Sequence, residues 1–132
     1  MKSHKHSFRV IYGDTDMMGI VYYANYLRYF EAGRSEIMRA LGIPYRRFED
    51  EGFAMPVIEA HVKYRAPSTY DDLLTLETRI TEVKRSSLWI EYSLVRDDDE
   101  VLIATGQTRH ACLGPSGRVS RFPSDIIARL TD

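Results

Sequence analysis

Two aspartates, one residue apart, open the stretch with the clearest potential for chemistry, GDTDMMGIVYYANY at residues 13–26. A carboxylate such as Asp14 or Asp16 can attack a carbonyl, take a proton from water, cap a helix or close a turn. The residues that follow are apolar and rich in tyrosine, as in a core or a pocket wall. The pattern therefore indicates a polar group set at the edge of an apolar pocket.

A calcium loop is the first alternative, because such loops place acids at positions one and three and a glycine at position six. Asp14, Asp16 and Gly19 match those positions. Position five should supply an oxygen ligand and position twelve a bidentate glutamate, but this chain has Met18 and Asn25 there. The sequence therefore disfavours a metal site.

The elements around the two acids suit acyl chemistry better. Apolar residues recur at helical spacing from Tyr23 to Leu41, and Gly42 marks the end of the predicted helix. The first backbone N–H groups of a helix are unpaired and carry partial positive charge, so they can hold an oxyanion beside an activating carboxylate. Gly19 permits close backbone approach, while Ile20 and Val21 make the surroundings apolar. A simple turn or helix cap is the plainer alternative.

Alternation with a period of two predicts that most of the remaining chain forms strands. We predict an α+β fold in which a single antiparallel sheet wraps around one long helix. One helix leaves part of such a sheet uncovered, so we expect an edge at residues 54–65 to pair with another subunit. The other predicted elements are a strand at 5–12, a short helix at 45–51, and strands at 58–64, 74–80, 88–95 and 101–113.

Composition narrows the class of protein. The chain has 132 residues, which predicts one domain over 1–132, and its 44% hydrophobic residues are enough for a core. Its 18 basic and 19 acidic residues nearly balance, which disfavours nucleic acid or an anionic membrane as a partner. No segment predicts a signal peptide or a membrane span. The single cysteine, Cys112, is expected to be buried and fits a reducing cytoplasm.

Other polar residues are weaker candidates. His4 and His6 form an H-x-H pair at a terminus that we expect to be mobile, and His61 and His110 are interpreted as structural residues of strands. The turn at residues 84–87 offers two cations and two hydroxyls, which can bind phosphate. A solvated hairpin turn explains the same four residues equally well.

Residues 14–26 closely resemble the signature of hot-dog-fold acyl-CoA thioesterases. The nearest branch is the 4-hydroxybenzoyl-CoA thioesterase type, which includes proteins associated with the Tol–Pal system. The resemblance continues through residues 27–31 and returns at residues 68–74. It implies a five-stranded antiparallel sheet around a long central helix, in agreement with the element order above.

The resemblance also implies roles for individual residues. Asp16 matches the catalytic carboxylate, acting as nucleophile or general base, and the Tyr23 backbone N–H matches the donor that polarises the thioester carbonyl. Tol–Pal members commonly have histidine where this chain has Tyr23, so an aromatic acyl group stays open beside an aliphatic one. Asp14 is expected to shape the turn. The implied substrate-binding residues are Gly19, Ile20, Val21 and Tyr22, with Lys84, Arg85, Ser86 and Ser87 at the coenzyme A phosphates.

The sequence thus predicts a cytoplasmic acyl-CoA thioesterase that needs no metal or cofactor and assembles as a homodimer or homotetramer. A hot-dog hydratase or dehydratase is the enzymatic alternative, but it needs a histidine beside the acid, and none occurs between His6 and His61. A non-catalytic module that binds acyl-CoA or acyl carrier protein is the alternative from another class. Such a module has no need of the Asp16 carboxylate.

Overall fold

The computed structural model describes residues 2–131. The five strands form one antiparallel sheet in the order β1-β3-β4-β5-β2, so that β1 and β2 are its edges. This arrangement confirms the predicted α+β hot-dog architecture, with the longest helix, α1, at its centre. The elements are β1 (Lys2–Arg9), a 3-10 turn (Tyr12–Asp14), α1 (Asn25–Ala40), α2 (Tyr45–Asp50), β2 (Val57–Tyr64), β3 (Leu73–Val83), β4 (Ser87–Arg96), β5 (Val101–Ala111) and α3 (Ser124–Thr131).

The central helix α1 lies against the sheet along one buried stripe. Phe30, which is fully buried, stacks on Tyr92 of β4 with ring centroids 4.3 Å apart. Gly33 allows this approach, because a Cβ there would meet Thr78 Oγ1 at 2.4 Å. Helix and sheet are therefore held in a fixed relation, and this places the start of α1 and its later half toward opposite ends of the sheet. The buried residues of the stripe are Tyr26, Tyr29, Phe30, Gly33, Ile37 and Met38.

The first strand differs from its prediction. It covers Lys2–Arg9 instead of residues 5–12, because Val10 turns into the core and Tyr12 begins the 3-10 turn. His4 and His6 therefore belong to a paired strand and not to a mobile terminus. Burial lowers the pKa of the His6 imidazole, an effect that the nearby Glu36 carboxylate partly offsets.

Two features of the fold were not predicted. Strand β2 pairs with β5 and not with β3, which follows it in the chain. Helix α3 was missed: Ile126 and Leu130, four residues apart, are both buried on one side of it. The described part of the chain contains no helix that is long and apolar enough to cross a membrane.

Candidate active site

Asp14 is a buried anchor beneath the loop that the sequence singled out. Only 5% of it is exposed. Its carboxylate accepts hydrogen bonds from the Tyr29 hydroxyl (2.8 Å), Arg28 Nη1 (3.2 Å) and the Ile11 backbone N–H (3.3 Å). Burial, reinforced by the bond to Asp14, raises the pKa of Tyr29, which keeps this hydroxyl protonated as a donor. The carboxylate is thus fully engaged in fixing structure.

The backbone of Asp14 joins this loop to the start of α1. Its carbonyl accepts the Asn25 Nδ2 hydrogen bond at 2.8 Å and the Tyr22 N–H hydrogen bond at 2.9 Å. An isolated bridge pairs Thr15 with Val21 and folds the segment back on itself. As a result, the residues between Thr15 and Val21 form a short loop next to the start of α1.

Asp16 lies on that short loop and is only partly buried. Its Oδ1 accepts the Met18 backbone N–H at 2.9 Å, which closes an Asx turn. Its Oδ2 has no hydrogen-bond partner within residues 2–131. Gly19 completes the turn with a φ of +78°, a conformation that side chains disfavour. One carboxylate oxygen is therefore held in place while the other is left available for chemistry.

Within residues 2–131, two backbone N–H groups immediately before α1 have no hydrogen-bond acceptor. The helix begins at Asn25, two residues later than predicted, and its N-cap residue Ala24 makes no side-chain cap. Among the described residues, the backbone N–H groups of Tyr23 and Ala24 have no backbone acceptor. The Tyr23 carbonyl, by contrast, accepts the Tyr64 hydroxyl at 3.1 Å. An exposed, positively polarised helix start thus adjoins the Asp16 turn.

The residues around this turn do not form a closed pocket. Val21 is 3% exposed and belongs to the core, so it supports the loop from below, whereas Ile20 is half-buried. Tyr22 and Tyr23 are 45% and 61% exposed. The pKa of the Tyr22 hydroxyl is raised mainly by the Tyr23 hydroxyl, with smaller contributions from desolvation and the Asp16 carboxylate. The acid and the donors are therefore brought together, but on an open aromatic surface.

The predicted phosphate-binding turn lies elsewhere. Residues 84–87 connect β3 to β4, while the Asp16 loop contacts the segment just before β3, where Ile20 forms a bridge with Thr69. Ten residue steps separate Leu73 from Val83, which is roughly 33 Å along an antiparallel strand. Lys84 Nζ is paired with Glu82 at 3.3 Å, whereas the exposed Arg85 has no carboxylate partner in the described part of the chain. One subunit therefore does not bring Asp16 and this turn together.

A cavity of about 370 Å³ occupies the same end of the molecule as the 84–87 turn. Its volume is within the range of small-molecule sites. It was missed by sequence reasoning because its walls come from seven separate segments. The lining residues are Glu31, Arg34, Ser35, Met38, Tyr45, Met55, Pro56, Val57, Ile80, Leu88, Ile90, His110 and Leu130.

Among the residues that line the cavity, Arg34 is the one whose position in the sequence could have indicated its role. It lies four residues after Phe30 and four before Met38, which are both on the buried stripe. The structure places it half-buried in the cavity wall, with Nη1 donating to the Tyr92 hydroxyl at 3.3 Å. A charge within an apolar helical stripe is the pattern that marks such a residue.

The fold and this site define a class, the hot-dog proteins that present a carboxylate beside the start of their central helix. A model of the thioesterase-like superfamily matches residues 10–130. The chain is 34% identical to the acyl-CoA thioesterase YbgC of Haemophilus influenzae, over 91% of this chain and 88% of that protein. It is 36% identical to a 1,4-dihydroxy-2-naphthoyl-CoA hydrolase of Synechococcus elongatus, over 94% and 90% of the two chains. The chain therefore belongs to the thioesterase-like superfamily.

A solved structure extends the similarity to the full fold. The crystal structure of an Asp-to-Asn mutant of 4-hydroxybenzoyl-CoA thioesterase, complexed with 4-hydroxybenzoyl-CoA, superposes with a TM-score of 0.89 at 25% identity. The match covers 99% of this chain and 100% of that one. The family and fold predicted from residues 14–26 are confirmed.

Proposed function

We propose that this protein is an acyl-CoA thioesterase, which converts a coenzyme A thioester and water to a carboxylate and free coenzyme A. The observation that carries the proposal is the free Asp16 oxygen beside the unpaired N–H groups at the start of α1. A carboxylate next to a preorganised oxyanion donor is what acyl transfer requires. The relatives named above support the substrate class.

The reaction can follow either of two balanced routes. In one, Asp16 Oδ2 attacks the carbonyl carbon, the sulfur leaves as coenzyme A, and water then hydrolyses the mixed anhydride. In the other, Asp16 takes a proton from the water that attacks the carbonyl, the C–S bond then breaks, and the sulfur leaves with that proton as free coenzyme A. In both, the Tyr23 N–H donates to the oxygen that becomes negative. Neither route needs a metal or cofactor, and we place the reaction in the cytoplasm, in keeping with the buried thiol of Cys112.

We further propose that the active unit is at least a dimer, formed through the edge strand β2. This strand exposes Val57, Ile58 and Tyr64, by 45%, 48% and 50%. An exposed apolar edge is a surface that pairing with a second copy would bury. The prediction that residues 54–65 form the subunit edge agrees with the position of β2 at the end of the sheet.

Pairing of two β2 strands has a direct consequence for the site. Antiparallel pairing about a twofold axis near the middle of the strand puts Val57 of one copy beside Tyr64 of the other. Val57 lines the cavity, and Tyr64 bonds the Tyr23 carbonyl. The dimer would therefore join the Asp16 and Tyr23 of one copy to the cavity of the other. The 84–87 turn would then lie at the correct end to contact the coenzyme A phosphates.

A binding module for acyl-CoA or acyl carrier protein is the competing function. It predicts coenzyme A affinity without release of a thiol. A thiol-release assay over aromatic and aliphatic acyl-CoAs separates the two functions. We expect turnover by the wild type and a loss of about 10²- to 10⁴-fold in kcat for Asp16→Asn, with binding retained. Wild-type turnover that Asp16→Asn does not reduce would contradict this mechanism.

The proposed assembly has its own test. Sedimentation at micromolar concentration should show a dimer or larger species. Val57→Lys, which places a charge on the exposed edge, should shift the equilibrium toward monomer and lower activity with it. A monomeric wild type with full activity would refute the proposal that two copies share a site.

A further inference from the structure

The cavity has a polar floor built from a chain of buried hydrogen bonds. Arg34 Nη1 donates to the Tyr92 hydroxyl, which lies 2.7 Å from Thr108 Oγ1. Thr108 Oγ1 lies 2.8 Å from His110 Nε2, and His110 Nδ1 lies 3.2 Å from the Met55 carbonyl. Tyr92, Thr108 and His110 are each at most 2% exposed. Burying such a chain is costly unless each member has its partners.

The groups at the two ends of this hydrogen-bond chain determine which atom donates in each of its hydrogen bonds. Burial, helped by the positive charge of Arg34, lowers the pKa of His110 to about 4, so this imidazole is neutral with one N–H. A carbonyl only accepts, which assigns that proton to Nδ1 and leaves Nε2 to accept from Thr108. Thr108 then accepts from Tyr92, and Tyr92 accepts from Arg34. The three inner groups have therefore used their protons within the chain.

Arg34 is the charged group of this floor that retains donors. A guanidinium has five N–H donors, and one bond to Tyr92 is recorded for it within residues 2–131. None of the ion pairs in this range includes Arg34. Glu31, the carboxylate of the cavity lining, is exposed and does not come within ion-pair distance of Arg34. Within residues 2–131, this half-buried guanidinium therefore has no carboxylate partner, and its other N–H donors have no acceptor.

We propose that the cavity holds the acyl group and that Arg34 donates to an oxygen acceptor at the end of that group remote from the thioester. This inference rests on the proposed function and adds a specificity: acyl groups with a terminal oxygen are preferred over hydrocarbon ones of equal size. Met38, Ile90 and Leu130 enclose the body of the group, and the bond from Arg34 selects its end. Tyr92 and Thr108 do not line the cavity and are positioning residues that hold the guanidinium, while His110, in the cavity wall, ends the hydrogen-bond chain.

Matched ligand pairs test the preference by binding, so that turnover is not required. The pairs are 4-hydroxybenzoyl-CoA with 4-methylbenzoyl-CoA, and 5-hydroxypentanoyl-CoA with hexanoyl-CoA. In each pair a hydroxyl replaces a methyl group of similar size. Their Kd values are measured by calorimetry on the Asp16→Asn protein, which cannot consume the ligand under the proposed mechanism.

We expect the hydroxyl member of at least one pair to bind about tenfold to a hundredfold more tightly, as a charge-assisted hydrogen bond allows. Adding Arg34→Met should abolish that preference, whereas Arg34→Gln, which keeps a donor near Tyr92, should retain part of it. Arg39→Met is the matched control, because Arg39 lies on the same helix and pairs with Glu36 outside the cavity. It should leave the preference unchanged.

The possible failures are distinct. Equal affinities within both pairs, no binding of either pair, or a preference that survives Arg34→Met would overturn the role of Arg34. Absence of thiol release from every acyl-CoA by the wild type would instead overturn the proposed function and leave the binding result standing on its own. A melting temperature for each variant confirms that the folded protein is being compared.

Discussion

The two ends of the central helix differ in the groups that they offer to a site. At the start of α1, Asp16 has a free carboxylate oxygen and Tyr23 a free N–H, but both lie on an open surface. Toward the other end lie a cavity of about 370 Å³, which neither Asp16 nor Tyr23 lines, and the cation of Arg85, which has no carboxylate partner within residues 2–131. One end has reactive groups without a pocket, and the other has a pocket without the reactive groups.

Because of this difference, the proposed dimer would matter to the chemistry and not only to stability. An acyl group needs an enclosed volume, while its thioester needs the acid and the oxyanion donor. Roughly 33 Å of strand separates the two regions in one copy. A twofold axis through β2 would bring them together from different copies.

The largest effect on stability is expected at the cavity end, from the pH dependence of His110. Its folded-state pKa of about 4 lies below the unfolded value of 6.5. Between these pH values, the unfolded chain therefore binds a proton at His110 that the folded chain does not bind. The contribution of neutral His110 to stability is therefore fully present above pH 6.5. As the pH drops from there toward 4, the free energy of unfolding falls by about 3 kcal/mol. Urea unfolding of the wild type at several pH values measures this.

His110→Asn supplies the comparison, since an asparagine amide can still donate toward the Met55 carbonyl but does not titrate. The free energy of unfolding of this variant should fall by about 3 kcal/mol less than that of the wild type over the same pH interval. Parallel curves for the two proteins would show that His110 is not buried as a neutral group. The acid end should keep its geometry in both proteins.

At the acid end, Asp14 and Asp16 should respond in opposite ways to the same change. Asp14→Asn removes the charge facing Arg28 and Tyr29, so we expect the free energy of unfolding to fall by about 2 kcal/mol. This exceeds the roughly 1 kcal/mol expected for a simple turn residue. Asp16→Asn should change stability by less than about 0.5 kcal/mol, because an amide oxygen can still accept the Met18 N–H.

Chemical denaturation and kcat, measured on both variants, check this contrast. Asp14→Asn should lose stability and retain measurable turnover, whereas Asp16→Asn should melt like the wild type and lose turnover. If both substitutions had the same pair of effects, the division between a structural and a reactive aspartate would be wrong.

The smallest effect is expected at the 84–87 turn. Replacing Lys84 and Arg85 with alanine should raise the KM for acyl-CoA roughly threefold to tenfold, weaken its dependence on salt and leave kcat nearly unchanged. Arg85→Ala should account for more of the rise, because Lys84 is already paired with Glu82. Lys5→Ala on the exposed side of β1 is the control. A fall in kcat at constant KM would remove this turn from the coenzyme A site.

The acid end could be predicted from sequence because its determinants are local. Asp14, Asp16 and Gly19 lie within six residues of one another, and the helix that follows has a clear apolar period. Reading α1 as beginning at Tyr23 instead of Asn25 was a small error, since helix ends are weakly specified by sequence. Even the division of labour between the two acids agrees with the burial of Asp14.

The cavity end could not be predicted in the same way. Leu88 and His110 face each other in the β4–β5 pair, but Val57 and Leu130 join them only because β2 crosses to pair with β5 and α3 folds back over β3. Neither the crossover nor the short α3 has a strong local signal, since Pro123 and two apolar residues four apart are common features. His110 illustrates the limit: a structural role was expected for it, but its place beneath a cavity depends on residues distant in sequence.

We propose that Asp16 of one subunit acts on an acyl group held in the cavity of another. Mixing two inactive variants tests this sharing most directly. The first variant is Asp16→Asn. The second is Ser35→Trp, which should fill the cavity from α1 while leaving the Asp16 end intact. Ala40→Trp, on an exposed position of the same helix, controls for the added bulk.

The two proteins are unfolded together, refolded as an equal mixture and assayed for thiol release. If sites are shared, half of the dimers are mixed and each contains one intact site, so activity should return to about a quarter of the wild-type value. If each subunit holds a complete site, every site in the mixture carries one of the two lesions. Activity that stays at the level of the separate variants, in a mixture shown to contain mixed dimers, would contradict the account.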